Sequence, residues 1–289
     1  MSRSSAATPP DTVTFCADLV RNHDFPRYAA TLFAPAAERR ALLALYAFNV
    51  EIVRVRDQVS QPLPGEIRFQ WWTDLFSGLV HGSAEGNPVA AELLRATRDF
   101  DLPVEPLSLL IDEHQFDLYN DPMPTMTALE GYLAATFSAL FALAARIMGE
   151  ASDASEHLAR HAGLAQGIAQ VITNLPRDSA HRQLFLPQQF LTSHGCVMED
   201  VFAGKETPGL HAVLDQLIGE TRQHLATASS LLAQLPPSAR AAFLPLSQAR
   251  AELDRLARPG RNPFAPQPVS RLRTLWTLWR ASRSREFTK

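Results

Sequence analysis

The amino-acid sequence predicts an all-α protein in which a single domain of helices encloses a central cavity. Apolar residues recur at helical spacing along most of the chain, and no stretch alternates with period two between turn residues. In the segment 163–187, every fourth residue is polar, which places these side chains on one face of a helix. This polar stripe consists of Gln166, Gln170, Asn174 and Asp178. A stripe on so apolar a helix indicates a cavity wall, and the alternative is an edge that faces water.

Length, charge and cysteine usage narrow the class of protein. A chain of 289 residues with 46% hydrophobic residues can bury one large core. Its formal net charge of -3 makes nucleic acid an unexpected partner. Cys16 and Cys196 give no metal knuckle and no disulfide framework, so we predict buried thiols in a reducing compartment. No long apolar run or targeting pattern is present, so we predict a cytoplasmic protein with a disordered tail at 1–14.

Periodicity and helix breakers order the elements of a predicted helical domain at 15–257. The first helix is expected to end before a loop at 21–28, and Pro35 opens a second helix that runs to about Val59. A turn rich in Pro and Gly is expected at 60–66. Further helices are expected at about 66–80, 88–100, 105–119, 125–149, 155–176, 208–234 and 237–257. The helix at 125–149 is apolar nearly all round, as a central helix should be, and Pro176 is expected to break the stripe helix.

Three ordered segments resemble the squalene/phytoene synthase family. They are RRALLALYAFNVEIVRVRD at 39–57, YLAATFS at 132–138, and GIAQVITNLPRD followed by LFLP at 167–187. The resemblance implies the isoprenoid-synthase fold and head-to-head prenyl transfer inside its cavity. It also implies two aspartate-rich motifs on facing helices, whose carboxylates hold Mg²⁺ ions against the substrate diphosphate.

Both acidic motifs are depleted in this chain. The first keeps a single carboxylate, Asp57, with Val53 and Arg54 at its other acidic positions. The second keeps Asp178 and has Arg182 at its next acidic position. At about 4 Å and an effective dielectric constant near 20, a pair of unit charges is worth roughly 4 kcal/mol, so an arginine there turns attraction for a divalent cation into repulsion. We therefore expect no cofactor.

The resemblance also assigns candidate binding residues. Those at the family's cavity-lining positions are Tyr46, Tyr132, Thr136, Ser138, Gln170 and Asn174, and Arg40 stands at a basic position near the phosphate end. The arginines expected around the remaining carboxylates are Arg54, Arg56, Arg177 and Arg182. Because guanidinium groups bind phosphate oxygens without metal, we expect a prenyl-diphosphate-like or lipid anion in the cavity. The alternative is that the arginines form structural ion pairs with Glu51, Asp57 and Asp178.

One branch of the family shares this pattern of loss. The helix leading to LFLP, without the second acidic motif and followed by His194 and Gly195, resembles the branch that contains the mitochondrial respiratory complex I assembly factor. This implies a non-catalytic accessory protein whose partners are subunits or assembly proteins of a membrane respiratory complex. The alternative is a Mg²⁺-dependent prenyltransferase of isoprenoid biosynthesis that acts on farnesyl or geranylgeranyl diphosphate. Asp57 and Asp178 would then be its catalytic and metal-binding residues.

Residues 258–289 are predicted to form a basic amphipathic helix that begins near Pro268. From residue 261 onward the sequence holds seven Arg or Lys residues against one Glu. Trp276 and Trp279 share a face, with arginines beside them. This composition favours peripheral membrane contact through 268–285, on the cytoplasmic face of the inner membrane. The alternative is a helix that docks its tryptophans into its own domain.

Overall fold

The computed structural model describes residues 11–79, 86–258, 260–265 and 269–288, and all regular elements in these ranges are helical. The helices are α1 (Thr12–His23), α2 (Phe25–Thr31), α3 (Ala36–Val53), α4 (Val55–Gln58), α5 (Pro62–Phe76), α6 (Pro88–Asp99), α7 (Glu105–His114), α8 (Met126–Leu133), α9 (Ala139–Ile147), α10 (Asp153–Ala180), α11 (Gln188–Ser193), α12 (Met198–Phe202), α13 (Pro208–Leu232), α14 (Pro237–Arg240), α15 (Leu246–Leu256), α16 (Arg271–Ser282) and α17 (Arg285–Thr288). Turns of 3₁₀-helix follow α7 (Gln115–Leu118) and α14 (Ala241–Phe243), and a π-helical turn (Ala134–Ser138) joins α8 to α9. The predicted all-α class is confirmed.

Three local predictions differ from the structure at proline-containing segments. Helix α1 begins at Thr12, so residues 12–14 of the predicted tail are helical, while residues 1–10 lie outside the described residues. Helix α2 occupies the expected loop at 21–28, because Asp24 accepts a hydrogen bond from the backbone N–H of Arg27 and caps it. Helix α5 begins inside the expected turn at 60–66, since a proline at the first helical position loses no hydrogen bond.

Helix α10 continues through Pro176 to Ala180, so the predicted break at this proline is wrong. A proline inside a helix removes one backbone hydrogen bond and crowds the preceding turn. Burial on both sides opposes a break here, because Leu175 is only 3% exposed and Asp178 only 5%. The last turn therefore keeps Arg177 and Asp178 on the same helix as the rest of the polar stripe.

The segment Met126–Ile147 forms one continuous central helix through α8, the π-helical turn and α9. Its length and composition would suffice to cross a membrane, but 61% of its most apolar window is buried inside the domain. The helix packs along α10, which also packs along α13 and α15. It is thus a core element, as its sequence predicted.

Two glycines on α10 allow the central helix to approach closely. A Cβ atom on Gly163 would lie 2.3 Å from the backbone N and Cα atoms of Ser138, and one on Gly167 would lie 2.5 Å from the Leu133 side chain. The Ser138 hydroxyl donates a hydrogen bond of 2.9 Å to the carbonyl of Arg160. No other residue type leaves room for this contact, which holds the π-helical turn against α10.

Three histidines meet where α10 packs on α13. His161 Nδ1 lies 2.8 Å from His224 Nδ1, and His161 Nε2 lies 3.2 Å from His157 Nε2. The rings form a chain and do not converge, and no group of three or more His, Cys, Asp or Glu side chains in the described ranges could hold a metal ion. Burial lowers the pKa of His161 and of His224, which favours their neutral forms.

The C-terminal helix α16 docks on the domain through a face that lacks its tryptophans. Thr274 and Leu278 are buried, and α16 packs against α2 and α15. Trp276 and Trp279 remain exposed, so the alternative, in which these two side chains dock into the domain, is wrong. Pro268, where we expected the helix to begin, lies outside the described residues, and α16 begins at Arg271.

The substitution Gly163→Ala tests the close approach of the central helix to α10. We expect it to lower the free energy of unfolding by about 2 kcal/mol, because the new methyl group collides with the Ser138 backbone, which cannot move aside as a side chain can. Gly131→Ala is the matched control, since Gly131 lies in α8 and a methyl group added there would have no neighbouring atom within 4 Å. It should be neutral or stabilising by about 0.5–1 kcal/mol. Urea unfolding of both variants measures this, and equal stability of the two would contradict the packing described.

Candidate functional site: the central cavity

A cavity of about 780 Å³ lies at the centre of the domain. Its lining comes from α2, α3, α4, the central helix, α10 and α15, together with the end of α7 and the 3₁₀ turn after it. All four residues of the polar stripe line it. The stripe is therefore a cavity wall, and it does not face bulk water as an outer edge of the domain would.

The middle of the stripe forms its own hydrogen-bond pair. Gln170 Nε2 donates to Asn174 Oδ1 at 2.8 Å. One turn earlier, Gln166 Oε1 is buried and has no hydrogen-bond partner among the described residues. An unpaired buried carbonyl oxygen costs free energy. This wall of the cavity therefore contains a polar atom that lacks a hydrogen bond.

The cavity lining contains a second polar group, built on Asp117. The Tyr132 hydroxyl donates to Asp117 Oδ1 at 2.9 Å, and His114 Nδ1 lies 2.9 Å from Asp117 Oδ2. Burial and the Asp117 carboxylate raise the pKa of Tyr132 well above its usual value. Phe185 packs on Tyr132 with 5.5 Å between ring centroids. This contact gives the cavity apolar ring surface beside the Tyr132 hydroxyl.

The two surviving motif carboxylates are in different environments. Asp57 lines the cavity but is exposed, whereas Asp178 is 5% exposed and pairs with Arg177 at 3.2 Å. Burial raises the pKa of Asp178 to about 6, and Arg177 opposes that rise without cancelling it. A carboxyl group with such a pKa is a weaker cation ligand near neutral pH than an ordinary aspartate.

Three of the four expected arginines line the cavity. Arg177 is engaged by Asp178, and Arg56 Nη2 donates to Asn120 Oδ1 at 3.3 Å. Arg54 forms no ion pair with any described residue, although its charge opposes the rise that burial causes in the pKa of Glu51.

The fourth expected arginine, Arg182, does not line the cavity. It adopts a positive φ of 55° after the end of α10, and it pairs with Glu199 at 2.8 Å on the outside of the domain. The prediction that Arg182 lies beside the motif carboxylates is therefore wrong. Helix α10 ends at Ala180, so Arg182 does not extend the helix face that carries Asp178.

The remaining lining does not suit a cluster of Mg²⁺ ions. Octahedral Mg²⁺ is held by ionised carboxylates together with phosphate oxygens. Here one motif carboxylate, Asp178, has an arginine 3.2 Å away and a raised pKa, and the other, Asp57, lies near the charges of Arg54 and Arg56. The other lining carboxylates are engaged elsewhere: Asp24 pairs with Arg27, Asp117 accepts from Tyr132, and Glu252 accepts from Thr173. At the motif positions, the two aspartates thus lie among guanidinium groups, which repel a divalent cation and attract an anion.

The structure brings most of the predicted binding residues together. Those that line the cavity are Arg54, Tyr132, Thr136, Gln170, Asn174 and Arg177. Three others lie elsewhere: Arg40 pairs with Glu92 through hydrogen bonds of 2.8 and 2.7 Å, Tyr46 is buried behind the lining, and Ser138 forms the contact with α10.

Sequence reasoning missed the buried Arg27. This residue lines the cavity at 7% exposure, pairs with Asp24 at 2.7 Å, and lies over the Tyr46 ring at 5.7 Å from its centroid. Its Nη2 atom has no partner among the described residues. Asp24 followed by Pro26 is the sequence pattern of a capped helix start, and it could have predicted α2, the helix that carries Arg27.

A model of the squalene/phytoene synthase family matches residues 20–280. The chain belongs to this family. A relative from Rattus norvegicus named NADH dehydrogenase (ubiquinone) complex I, assembly factor 6, is 32% identical over 235 residues, covering 81% of this chain and 71% of that protein. A presqualene diphosphate synthase from Rhodopseudomonas palustris is 24% identical over 210 residues, covering 72% of this chain and 75% of that protein.

The solved structures agree with the family assignment at the level of the fold. A crystal structure of a squalene synthase from Alicyclobacillus acidocaldarius superimposes with a TM-score of 0.74 at 22% identity, covering 88% of this chain and 95% of that one. The predicted isoprenoid-synthase fold is therefore confirmed. The family's fold here encloses a lining that includes Arg54, Arg56 and Arg177.

The raised pKa of Asp178 predicts the effect of Asp178→Asn on stability. In the folded protein this carboxyl binds its proton more tightly than at its ordinary pKa of 3.8, so its contribution to stability falls as the pH rises from about 4 through about 6. We expect Asp178→Asn to be more stable than the natural protein at pH 8, by up to about 3 kcal/mol, and the difference to shrink towards pH 4. Urea unfolding at several pH values measures it. The exposed Asp57→Asn is the control and should change stability by less than about 0.5 kcal/mol; a loss of stability in Asp178→Asn at pH 8 would contradict this account.

Proposed function

We propose that this protein is a non-catalytic member of the squalene/phytoene synthase family that assists the assembly of respiratory complex I. The observation that carries the proposal is the similarity to relatives named as complex I assembly factor 6, at 31–32% identity over about 80% of this chain for the rat and human proteins. The similarity to a family member named as a synthase is lower, at 24%. Its partners would be subunits or assembly proteins of that membrane complex.

The charge of the cavity lining supports a role without prenyl transfer. In the enzymatic alternative, Mg²⁺ ions help the diphosphate to leave, and that chemistry depends on several ionised carboxylates at one place. At the two motif positions, the lining instead places Arg54, Arg56 and Arg177 beside Asp57 and Asp178, and its other carboxylates, Asp24, Asp117 and Glu252, accept hydrogen bonds from neighbouring side chains. We therefore assign no cofactor to the protein.

The same lining supports the binding of an anion that the protein does not convert. Arg54 has no ion pair among the described residues, so its guanidinium group is available to a phosphate. Val50, Val53, Leu140 and Val171 line the cavity too and offer apolar surface to a hydrocarbon chain. A prenyl-diphosphate-like or lipid anion combines these two features. The competing interpretation is that the arginines only form structural ion pairs. It fits Arg177, which pairs with Asp178, but not Arg54, which has no such pair among the described residues.

We place the protein in the cytoplasm, on the cytoplasmic face of the inner membrane, because an assembly factor must reach a membrane complex. This location follows from the proposed partners and stays a prediction.

A complementation experiment separates assembly from catalysis. Deleting the gene in its own host should lower the amount of assembled complex I on native gels, and the Asp57→Asn, Asp178→Asn double variant should restore it as well as the natural gene does. The reason is that both substitutions remove carboxylates that a prenyltransferase needs and an assembly factor does not. A double variant that accumulates as folded protein but fails to restore the complex would count against the proposal.

The purified protein gives the corresponding result in solution. With farnesyl or geranylgeranyl diphosphate and Mg²⁺, we expect no more pyrophosphate from the natural protein than from the same double variant. Turnover that depends on Asp57 and Asp178 would establish the enzymatic alternative.

Binding of farnesyl diphosphate in the presence of EDTA tests the anion site. We expect binding without metal, and a loss of roughly tenfold or more in affinity for each of Arg54→Gln and Arg177→Gln, because each removes a charged hydrogen-bond donor. Arg182→Gln is the matched control, since Arg182 belongs to the same segment but lies outside the cavity. Isothermal titration calorimetry measures the affinities. Binding that requires Mg²⁺, or equal affinities in all three variants, would refute the anion site.

A further inference from the structure

The outward face of α16 exposes large apolar side chains at successive turns of the helix. Leu272 is 79% exposed, Trp276 59%, Trp279 41% and Leu275 37%. At about 100° per residue these four side chains fall within a stripe roughly 100° wide. We call this stripe the tryptophan face.

The domain holds α16 so that the tryptophan face points outward. On the opposite side of the helix, Leu278 is 0% exposed and Thr274 is 3% exposed. The Arg271 guanidinium group lies over the Phe25 ring at 4.9 Å from its centroid, and Gln248 Nε2 donates to the carbonyl of Thr274 at 3.2 Å. The helix is thus fixed to α2 and α15 by one face, and its apolar outer face is a permanent surface feature.

Positive charge borders and enters the tryptophan face. Arg273 and Arg280 are exposed along one edge, and neither forms an ion pair with a described residue. Arg283 lies over the Trp279 ring at 4.7 Å from its centroid, and the Trp276 and Trp279 rings stack at 5.0 Å. The acidic residue nearest in sequence, Glu286, is already taken, because Arg250 pairs with it at 2.9 Å.

We propose that the tryptophan face binds the surface of a bilayer that contains anionic lipids. Indole rings favour the depth of the lipid head groups, leucine side chains reach the acyl boundary, and arginines at that depth meet lipid phosphates. A bilayer offers negative charge and apolar depth along the whole length of the stripe and needs no matching shape. A docked protein would need an acidic border around an apolar groove. The proposal does not depend on the role in complex I assembly or on a ligand in the cavity.

Vesicle flotation of the full chain tests the apolar part of the proposal. We expect the natural protein to float with phosphatidylcholine vesicles in which about a third of the lipid is phosphatidylglycerol. The Trp276→Ser, Trp279→Ser variant should lose at least about tenfold in partition coefficient, since it removes the largest apolar surface of the stripe. The matched control is Leu63→Ser, Ile67→Ser, which removes side chains that are 63% and 62% exposed on α5. This control should partition as the natural protein does.

Arginine substitutions test the part of the proposal that concerns charge. At about 1 kcal/mol for each basic residue near an anionic surface, Arg273→Gln, Arg280→Gln should weaken partitioning roughly 30-fold at low salt, and high salt should reduce the difference. Equal partitioning of the tryptophan variant and the natural protein would overturn the proposal. So would equal binding to phosphatidylcholine alone, or capture of α16 by a protein partner with no binding to any vesicle.

Discussion

The close contact between the central helix and α10 determines the architecture of the cavity. At Gly163 the backbone of Ser138 occupies the space of a side chain, and one turn further Leu133 packs over Gly167. This contact sets the rotation of both helices. It therefore helps to place Tyr132 and the polar stripe in the lining of one cavity. Two residues without side chains thus position most of the polar groups that a ligand would meet.

Within that architecture, guanidinium groups and carboxylates share the lining of the cavity. Asp178 remains at its motif position, but burial and the neighbouring Arg177 make it one half of an ion pair. Such a pair costs desolvation energy and contributes little net stability. The helices are held by apolar packing and by the close approach at Gly163, neither of which involves Asp57 or Asp178.

The sequence was informative where a pattern depends on one helix alone. The four-residue spacing of the polar stripe placed Gln170 and Asn174 on one face, and that face lines the cavity. It was less informative where two elements must meet. The partner of Arg40 is Glu92, 52 positions away, and no spacing rule connects them. Arg182 was misplaced because the end of α10 depends on a positive φ that the pattern does not encode.

Short helices and tertiary packing account for the other differences. Helix α2 has seven residues, too few for a periodic signal, and it carries the buried Arg27. Pro176 is a strong local signal for a break, but burial of the residues around it outweighs the lost hydrogen bond. The helix preference of a single residue predicts a helix end poorly where burial of its neighbours contributes more free energy than the lost backbone hydrogen bond costs.

The π-helical turn at 134–138 has a consequence for how relatives of this chain are compared. Such a turn accommodates one extra residue within an otherwise regular helix. Homologues that lack the insertion would carry the same cavity residues with a register shifted by one position on one side of the turn. Residues on that side are therefore equivalent in space only when the two sequences are aligned with an offset of one position.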